Sequence, residues 1–222
     1  MLPRVRWAVL AVLSVALGVA VVVAGQPGEP LPVAGVQRLG PEAGEPVADY
    51  LRRANASLPT AQSGPVWALV QLEGYLKPAS AAELTQGTRL SRAVLRVPLP
   101  RVQTALIIRD LPGQRPVAEL TEALRFAAQD RATVVSRGEP SGRPAAIAAA
   151  EAAQLRAGCA CVVAFLVFGN SEALQAVAAR PGVRTVHAAS PDTAIQDVAI
   201  SPLLPEQLDT AGPVPDDGAV PP

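Results

Sequence analysis

The chain has 222 residues, with 19 basic and 19 acidic side chains and a formal net charge of zero at pH 7. This balance argues against the basic surface that nucleic-acid binding needs, so we expect no nucleic-acid partner. Aromatic residues make up only 3% of the sequence, which argues against a platform for stacking sugars or unpaired bases. Because His187 is the one histidine, we also expect no metal and no other cofactor.

The chain opens with an apolar segment, Trp7 to Ala24, that contains no charged residue. As a helix, this segment would be roughly 27 Å long, close to the thickness of a membrane's hydrocarbon layer. Arg4 and Arg6 precede it, and basic residues beside such a segment stay on the cytoplasmic side. We therefore predict a cytoplasmic stub and transmembrane anchor over residues 1–25, with the N-terminus in the cytoplasm and the rest of the chain outside.

A cleaved secretory signal is the alternative, since Val22-Val23-Ala24 offers a site with small residues at the required spacing. We favour a retained anchor because the segment is long enough to span. Trp7 also lies at its start, where aromatic residues anchor spans at the membrane interface. The predicted location is thus the cell membrane in a single pass, and the alternative is a secreted protein.

The rest of the chain divides by composition into a linker, a domain and a tail. Residues 26–63 are rich in proline and glycine and are predicted to be a linker, with a possible short amphipathic helix at 46–54. Residues 190–222 are rich in proline and aspartate and are predicted to be largely disordered. Between them, at 64–189, we predict an α/β domain with strands at 66–72, 90–97, 104–109, 159–168 and 183–188, and helices at 79–86, 117–131, 144–157 and 172–179.

This order of elements predicts an α+β fold. The simplest arrangement for it is a ferredoxin-like α/β sandwich, in which helices cover one face of a mostly antiparallel sheet. A single doubly wound sheet is the alternative.

Cys159 and Cys161 are the first candidates for chemistry. Residues two apart on a flat strand have Cβ atoms too far apart to bridge without distortion, so we favour two buried core residues. If the pair lies instead in the turn after Gly158, a local disulfide can form, and redox activity is the third interpretation.

His187 is a weaker candidate, near the end of the last predicted strand. Asp192, Ser190 and Ser201 follow it in sequence, but the chain contains no Gly-x-Ser-x-Gly nucleophile motif. We therefore predict a solvated strand-end histidine without a catalytic role.

Two segments are better suited to contacts than to catalysis. Arg92, Arg96 and Arg101 are predicted to form a basic stripe on an exposed strand face, either as a solvated surface or as a contact surface. Leu203 and Leu204 lie in an apolar island of the polar tail. This island can dock back on the domain, which we favour, or serve as a short linear ligand for a partner.

The segment from Ser171 to Val186, a helix ending in Pro-Gly-Val and then a short strand, resembles the closing half of subtilisin-type propeptide and inhibitor domains. Those domains are ferredoxin-like, although this chain lacks their protease-directed tail. More broadly, the N-terminal segment, the Trp-Ala-Leu-Val-Gln-Leu strand, the Gly-Cys-Ala-Cys segment and the Pro-Leu-Leu-Pro-Glu-Gln tail resemble uncharacterised membrane-anchored proteins of high-GC bacteria. The second resemblance implies the same membrane topology.

These observations predict a non-enzymatic, membrane-anchored extracytoplasmic module that binds a protein partner, whose identity the sequence leaves open. Two alternatives remain. The first is a peptidase-inhibitor or propeptide-like module, as the resemblance implies. The second is a thiol redox protein that uses Cys159 and Cys161.

Overall fold

A mixed α+β fold with a five-stranded antiparallel sheet is shown by the computed structural model, which describes residues 35–60, 64–138 and 141–221. The predicted α+β class is therefore confirmed. The predicted anchor, residues 1–25, lies outside these residues. Within the described ranges, no helix combines the length and the apolar character that a membrane crossing requires. All the elements below belong to one compact unit that begins at Gln37.

Seven strands, five α-helices and a short 3₁₀ helix, Ile195–Asp197, make up the described part of the chain. The strands are β1 (Gln37–Leu39), β2 (Val66–Leu76), β3 (Arg89–Leu95), β4 (Ile107–Asp110), β5 (Val162–Gly169), β6 (Val183–Ala188) and β7 (Val198–Ile200). The helices are α1 (Val47–Ala56), α2 (Pro78–Glu83), α3 (Pro116–Ser136), α4 (Arg143–Arg156) and α5 (Ser171–Ala178).

The sheet has the strand order β4-β3-β5-β2-β6, and every neighbouring pair is antiparallel. The units β2–α2–β3 and β5–α5–β6 interleave, because β5 lies between β2 and β3. A doubly wound fold needs a mostly parallel sheet, so the structure excludes that alternative.

The side chains of β2 alternate between two cores, one on each face of the sheet. Val70 and Leu72 pack in the larger core with residues of α2, α3, α4 and α5. Leu69 packs in the smaller core with Val198 of β7 and with Leu204. Four helices therefore cover one face, and the N- and C-terminal segments of the domain cover the other.

The terminal segments pack more extensively than their composition predicted. Residues 190–222 are predicted to be largely disordered, but β7 pairs in parallel with β1, and Leu203 is completely buried. The apolar island around Leu203 supplies the buried surface that offsets the entropy of ordering this proline-rich chain. The predicted linker likewise contains β1 and α1, and α1 begins one residue later than the predicted short helix at 46–54 and ends two residues beyond it.

The strand predicted at 159–168 begins only at Val162. Helix α4 ends at Arg156, and the chain needs the turn through Cys159 and Cys161 to enter the sheet. The predicted strand at 183–188 is observed with the same bounds.

Candidate functional site

The two edges of the five-stranded sheet differ. Helix α1 and the turn that follows it cover the β6 edge, where Ala188 N donates to Ser57 Oγ at 2.8 Å and Thr185 Oγ1 donates to Asn55 Oδ1 at 3.0 Å. At the opposite edge, β4 pairs with β3 on one side, and no strand in the described part of the chain pairs with its other side. The β4 edge is therefore open.

The register of β4 shows which of its backbone groups face the open side. Leu111 N donates to Ser91 O at 2.8 Å, so these two residues form a hydrogen-bonded pair of the ladder. Hydrogen-bonded and non-hydrogen-bonded pairs alternate along an antiparallel ladder. Continuing the register, Arg109 directs its N–H and C=O toward β3, whereas Ile108 and Asp110 direct theirs to the open side.

Two exposed apolar side chains flank this edge. Leu106 is 47% exposed and Ile108 is 46% exposed. Ile108 lies opposite Val94, whose side chain belongs to the smaller core, so Ile108 projects on the face that the terminal segments cover. Arg109 points to the helical face, where it pairs with Asp130 of α3. One face of the open edge therefore carries Leu106 and Ile108 beside the Arg92–Asp110 pair, and the other face carries the Arg109–Asp130 pair.

A hollow of about 370 Å³ adjoins the apolar side of the edge, and Leu106 forms part of its wall. The amides around the hollow already have partners: Gln103 Nε2 donates to Val214 O at 2.7 Å, and Gln207 Nε2 donates to Gly212 O at 2.5 Å. The charged residues of the lining that remain on its exposed rim are Arg38 and Glu42. Its apolar lining includes Pro41, Ala43, Leu106, Pro202, Ala211 and Val214. Such a lining suits an apolar side chain better than a polar ligand.

The arginines predicted as an exposed stripe are placed differently by the structure. Arg92 is 20% exposed and binds Asp110 at 2.7 Å and Val198 O at 3.2 Å. Arg101 is exposed and pairs with Asp217 of the tail at 2.7 Å. Arg92 thus links β3 to β4 and β7, and Arg101 binds the tail. The alternation of residues along a strand does not predict such contacts.

Arg96 departs furthest from the predicted stripe, because its side chain is only 2% exposed. Its guanidinium donates to Tyr75 Oη, to Glu206 and, at 3.2 Å, to Val102 O. Burial raises the pKa of the Tyr75 hydroxyl, which therefore stays protonated at neutral pH. Arg96 is a buried clamp on the tail and is not available to a partner.

Leu203 and Leu204 dock back on the domain, the favoured one of their two predicted roles. Leu203 is completely buried beside Tyr50, and its N–H donates to Gln71 Oε1 in the middle of β2. The amide nitrogen of Gln71 in turn donates to Tyr50 Oη. This polar chain holds the tail in register across the sheet.

His187 is also buried, in contrast to the predicted solvated position, and is 5% exposed. Gly40 N donates to its Nδ1 at 3.0 Å, and the ring lies edge-on to Tyr50 with centroids 5.7 Å apart. Burial, with a contribution from the nearby Arg53 cation, lowers the pKa of His187 to about 4. At neutral pH the imidazole is therefore an uncharged structural acceptor.

Cys159 and Cys161 form a disulfide in the turn between α4 and β5, with their Cα atoms 5.3 Å apart. This corresponds to the second of the three predicted interpretations. Cys161 is completely buried, which limits the access of another thiol to the bridge. In the described ranges, His, Cys, Asp and Glu residues do not gather in groups of three or more that could hold a metal ion.

No family model, no curated protein and no solved structure matches this chain. Nothing in the sequence alone marks Leu106 and Ile108 as exposed, because a strand rich in leucine and isoleucine normally predicts burial. The available signal is the Arg109-Asp110 pair at the end of that strand, since charged residues are frequent on edge strands.

Proposed function

We propose that this chain is a single-pass, membrane-anchored extracytoplasmic protein whose α+β domain is a non-enzymatic module that binds another protein. The open β4 edge carries this proposal. Ile108 and Asp110 direct backbone donors and acceptors to that side, and Leu106 and Ile108 supply exposed apolar area beside them. An extended segment of a partner adds to such an edge through main-chain hydrogen bonds.

The membrane anchor rests on the apolar segment from Trp7 to Ala24 and on Arg4 and Arg6 before it. This topology holds the domain outside the cytoplasm at the membrane surface. A disulfide between Cys159 and Cys161 fits an oxidising extracytoplasmic compartment.

The finer fold assignment is part of the proposal. Without β4, the order β3-β5-β2-β6 follows from two interleaved strand–helix–strand units, which is the ferredoxin-like arrangement. We therefore propose a ferredoxin-like sandwich extended by one edge strand. This arrangement hosts many unrelated functions and does not by itself favour the inhibitor alternative.

The two alternative functions have less support. An inhibitor-like module presents a tail to its protease, whereas the tail here is buried at Leu203 and clamped through Glu206. A redox role requires an accessible sulfur, whereas Cys161 is fully buried and Cys159 is partly buried.

The test is site-specific photocrosslinking of the full chain in its native membranes. A photoreactive side chain is placed at Leu106, on the proposed edge, or at Val135, an exposed residue of α3, as the matched control. We expect a discrete crosslinked polypeptide from Leu106 and none from Val135.

The edge itself is tested by adding Ile108→Pro to the Leu106 probe. Proline removes an N–H that faces the open side, so the β3–β4 ladder keeps its hydrogen bonds. We expect the adduct to disappear while thermal unfolding stays close to that of the unsubstituted chain; Ile108→Val, which keeps the N–H, should retain the adduct. An adduct that persists in Ile108→Pro, or no adduct from Leu106, contradicts the proposal.

A further inference from the structure

Building on the proposed function, we propose that the partner segment adds antiparallel to β4 and carries a basic residue and then apolar residues at every second position, the last of which enters the hollow beside Leu106. The occupant is an extended peptide segment of a different protein. The choice rests on the charges of β4, its exposed apolar side chains and the position of the hollow.

A second copy of this chain fits the edge poorly. Antiparallel self-pairing through the outward groups of Ile108 and Asp110 has two registers. In one register, Arg109 lies directly opposite Arg109 of the second copy, and like charges in that position repel. In the other, Leu106 lies opposite the Asp110 carboxylate of the second copy. Each register juxtaposes unfavourable groups, so a segment of different sequence is the better occupant.

The side chains of β4 specify what that segment carries. The Asp110 side chain is 81% exposed and can accept a second cation besides Arg92. A residue opposite Ile108 and the one two positions later, opposite Leu106, both meet exposed apolar surface. The preferred order along the partner is therefore basic, any, apolar, any, apolar.

The hollow adds one more apolar position to the sequence preferred in the partner segment. The next alternate residue of the segment lies beyond Leu106, over Gln103 and Thr104, which both line the hollow. The cavity of about 370 Å³ has room for a leucine or phenylalanine side chain, and the amides of Gln103 and Gln207 in its wall are already hydrogen-bonded. An apolar residue at this position would gain buried area without breaking the hydrogen bonds of these two amides.

The test selects peptides from a displayed library of random nine-residue segments against the detergent-solubilised full chain. We expect the selected peptides to show apolar residues at every second position after a basic residue. A representative peptide should bind Ile108→Pro at least tenfold more weakly, and selection against Asp110→Lys should replace the basic residue with an acidic one.

The hollow is tested by filling it. Ala43 is exposed and lines the hollow, so Ala43→Phe should weaken the representative peptide at least fivefold. Ala48→Phe, at an exposed position of α1 away from the hollow, is the matched control and should leave binding unchanged.

The outcomes separate the two proposals. Binding that is lost in Ile108→Pro but unaffected by Asp110→Lys and Ala43→Phe overturns the assigned pattern and leaves strand addition standing. Peptides without the alternation, or no enrichment at all, also overturn the pattern, and the crosslinking experiment then decides the proposed function. Binding that is indifferent to Ile108→Pro contradicts both.

Discussion

At the scale of single residues, Arg96 joins the sheet to the tail. Its side chain is 2% exposed and its guanidinium donates to Glu206, Tyr75 Oη and Val102 O. Arg96→Met should lower the free energy of unfolding by about 2–4 kcal/mol, because Glu206 and Val102 O lose a charged donor. Urea unfolding followed by circular dichroism measures this loss.

The matched control is Arg101→Met. Arg101 also pairs with a tail carboxylate, that of Asp217, but both side chains are more than half exposed. We expect no measurable change in the urea midpoint, because exposed pairs contribute little to stability. Equal effects of the two substitutions would contradict the clamp at Arg96.

His187 should make stability depend on pH. Burial lowers its pKa to about 4, while an unfolded chain has the ordinary value of 6.5. The unfolded chain therefore binds more protons between these values, and stability falls as the pH drops from about 7 toward 4, by about 2–3 kcal/mol. Protonation of Nδ1 would also break its hydrogen bond with Gly40 N.

Urea unfolding at several pH values between 7 and 4.5 checks this prediction. His187→Asn keeps an acceptor near Gly40 N but does not titrate, so its stability should vary less over this range. Glu45, whose pKa is lowered by its hydrogen bond with Arg53, loses its contribution only below its ordinary value of 4.5. A variant with the same pH dependence as the unsubstituted chain would overturn the assignment to His187.

At the scale of elements, the tail packs against two parts of the domain: Leu204 belongs to the smaller core, and Leu203 belongs to a separate cluster with residues of α1. Leu203 is completely buried against Val47 and Tyr50 of α1, whereas Leu208 nearby is 72% exposed. Leu203→Ala should cost about 2–4 kcal/mol because it leaves a cavity, and Leu208→Ala should change stability by less than about 0.5 kcal/mol. Thermal unfolding of the two variants compares them directly, and similar midpoints would show that the tail does not hold the fold together.

The elements themselves were largely predictable from the sequence. The strand at 183–188 and the cap of α5, where Asn170 Oδ1 accepts from Ala173 N at 2.9 Å, follow from local patterns. For the tail, only the docking of the apolar island at Leu203 and Leu204 was predicted. The ordering of the rest of the tail was not, because composition averages over the few apolar residues that decide burial. The prediction of an exposed basic stripe was wrong at Arg96 for a related reason. The alternation of polar and apolar residues shows which side chains share a strand face, but it does not show which other segments cover that face.

The candidate site could not be predicted from local sequence patterns, for a different reason. The open edge exists because β4, although next to β3 in the chain, becomes the last strand once β5 inserts between β2 and β3. That order depends on contacts distant in sequence. Leu106 and Ile108 therefore read as core residues until the pairing of the strands is known.

At the scale of the whole molecule, the sheet is covered on both faces and protected at the β6 edge, so β4 is its exposed boundary. A membrane anchor would raise the local concentration of this edge for partners in the same membrane. Anchoring would then compensate for the short strand, since four residues, Ile107–Asp110, offer few backbone hydrogen bonds.

The proposed anchor can be tested by the mass of the protein. We expect intact mass measurement of the protein extracted from membranes to give the full-length mass, because the segment from Trp7 to Ala24 is long enough to remain in the bilayer. Protease added from outside should reach the domain of anchored protein, as the positive-inside bias at Arg4 and Arg6 requires. A variant with two arginines inserted after Ala24 serves as the control, since balanced flanking charge should weaken this orientation. A mass shortened near Ala24 would show a secreted domain, which could still add a strand at β4 but would lose the benefit of confinement to the membrane.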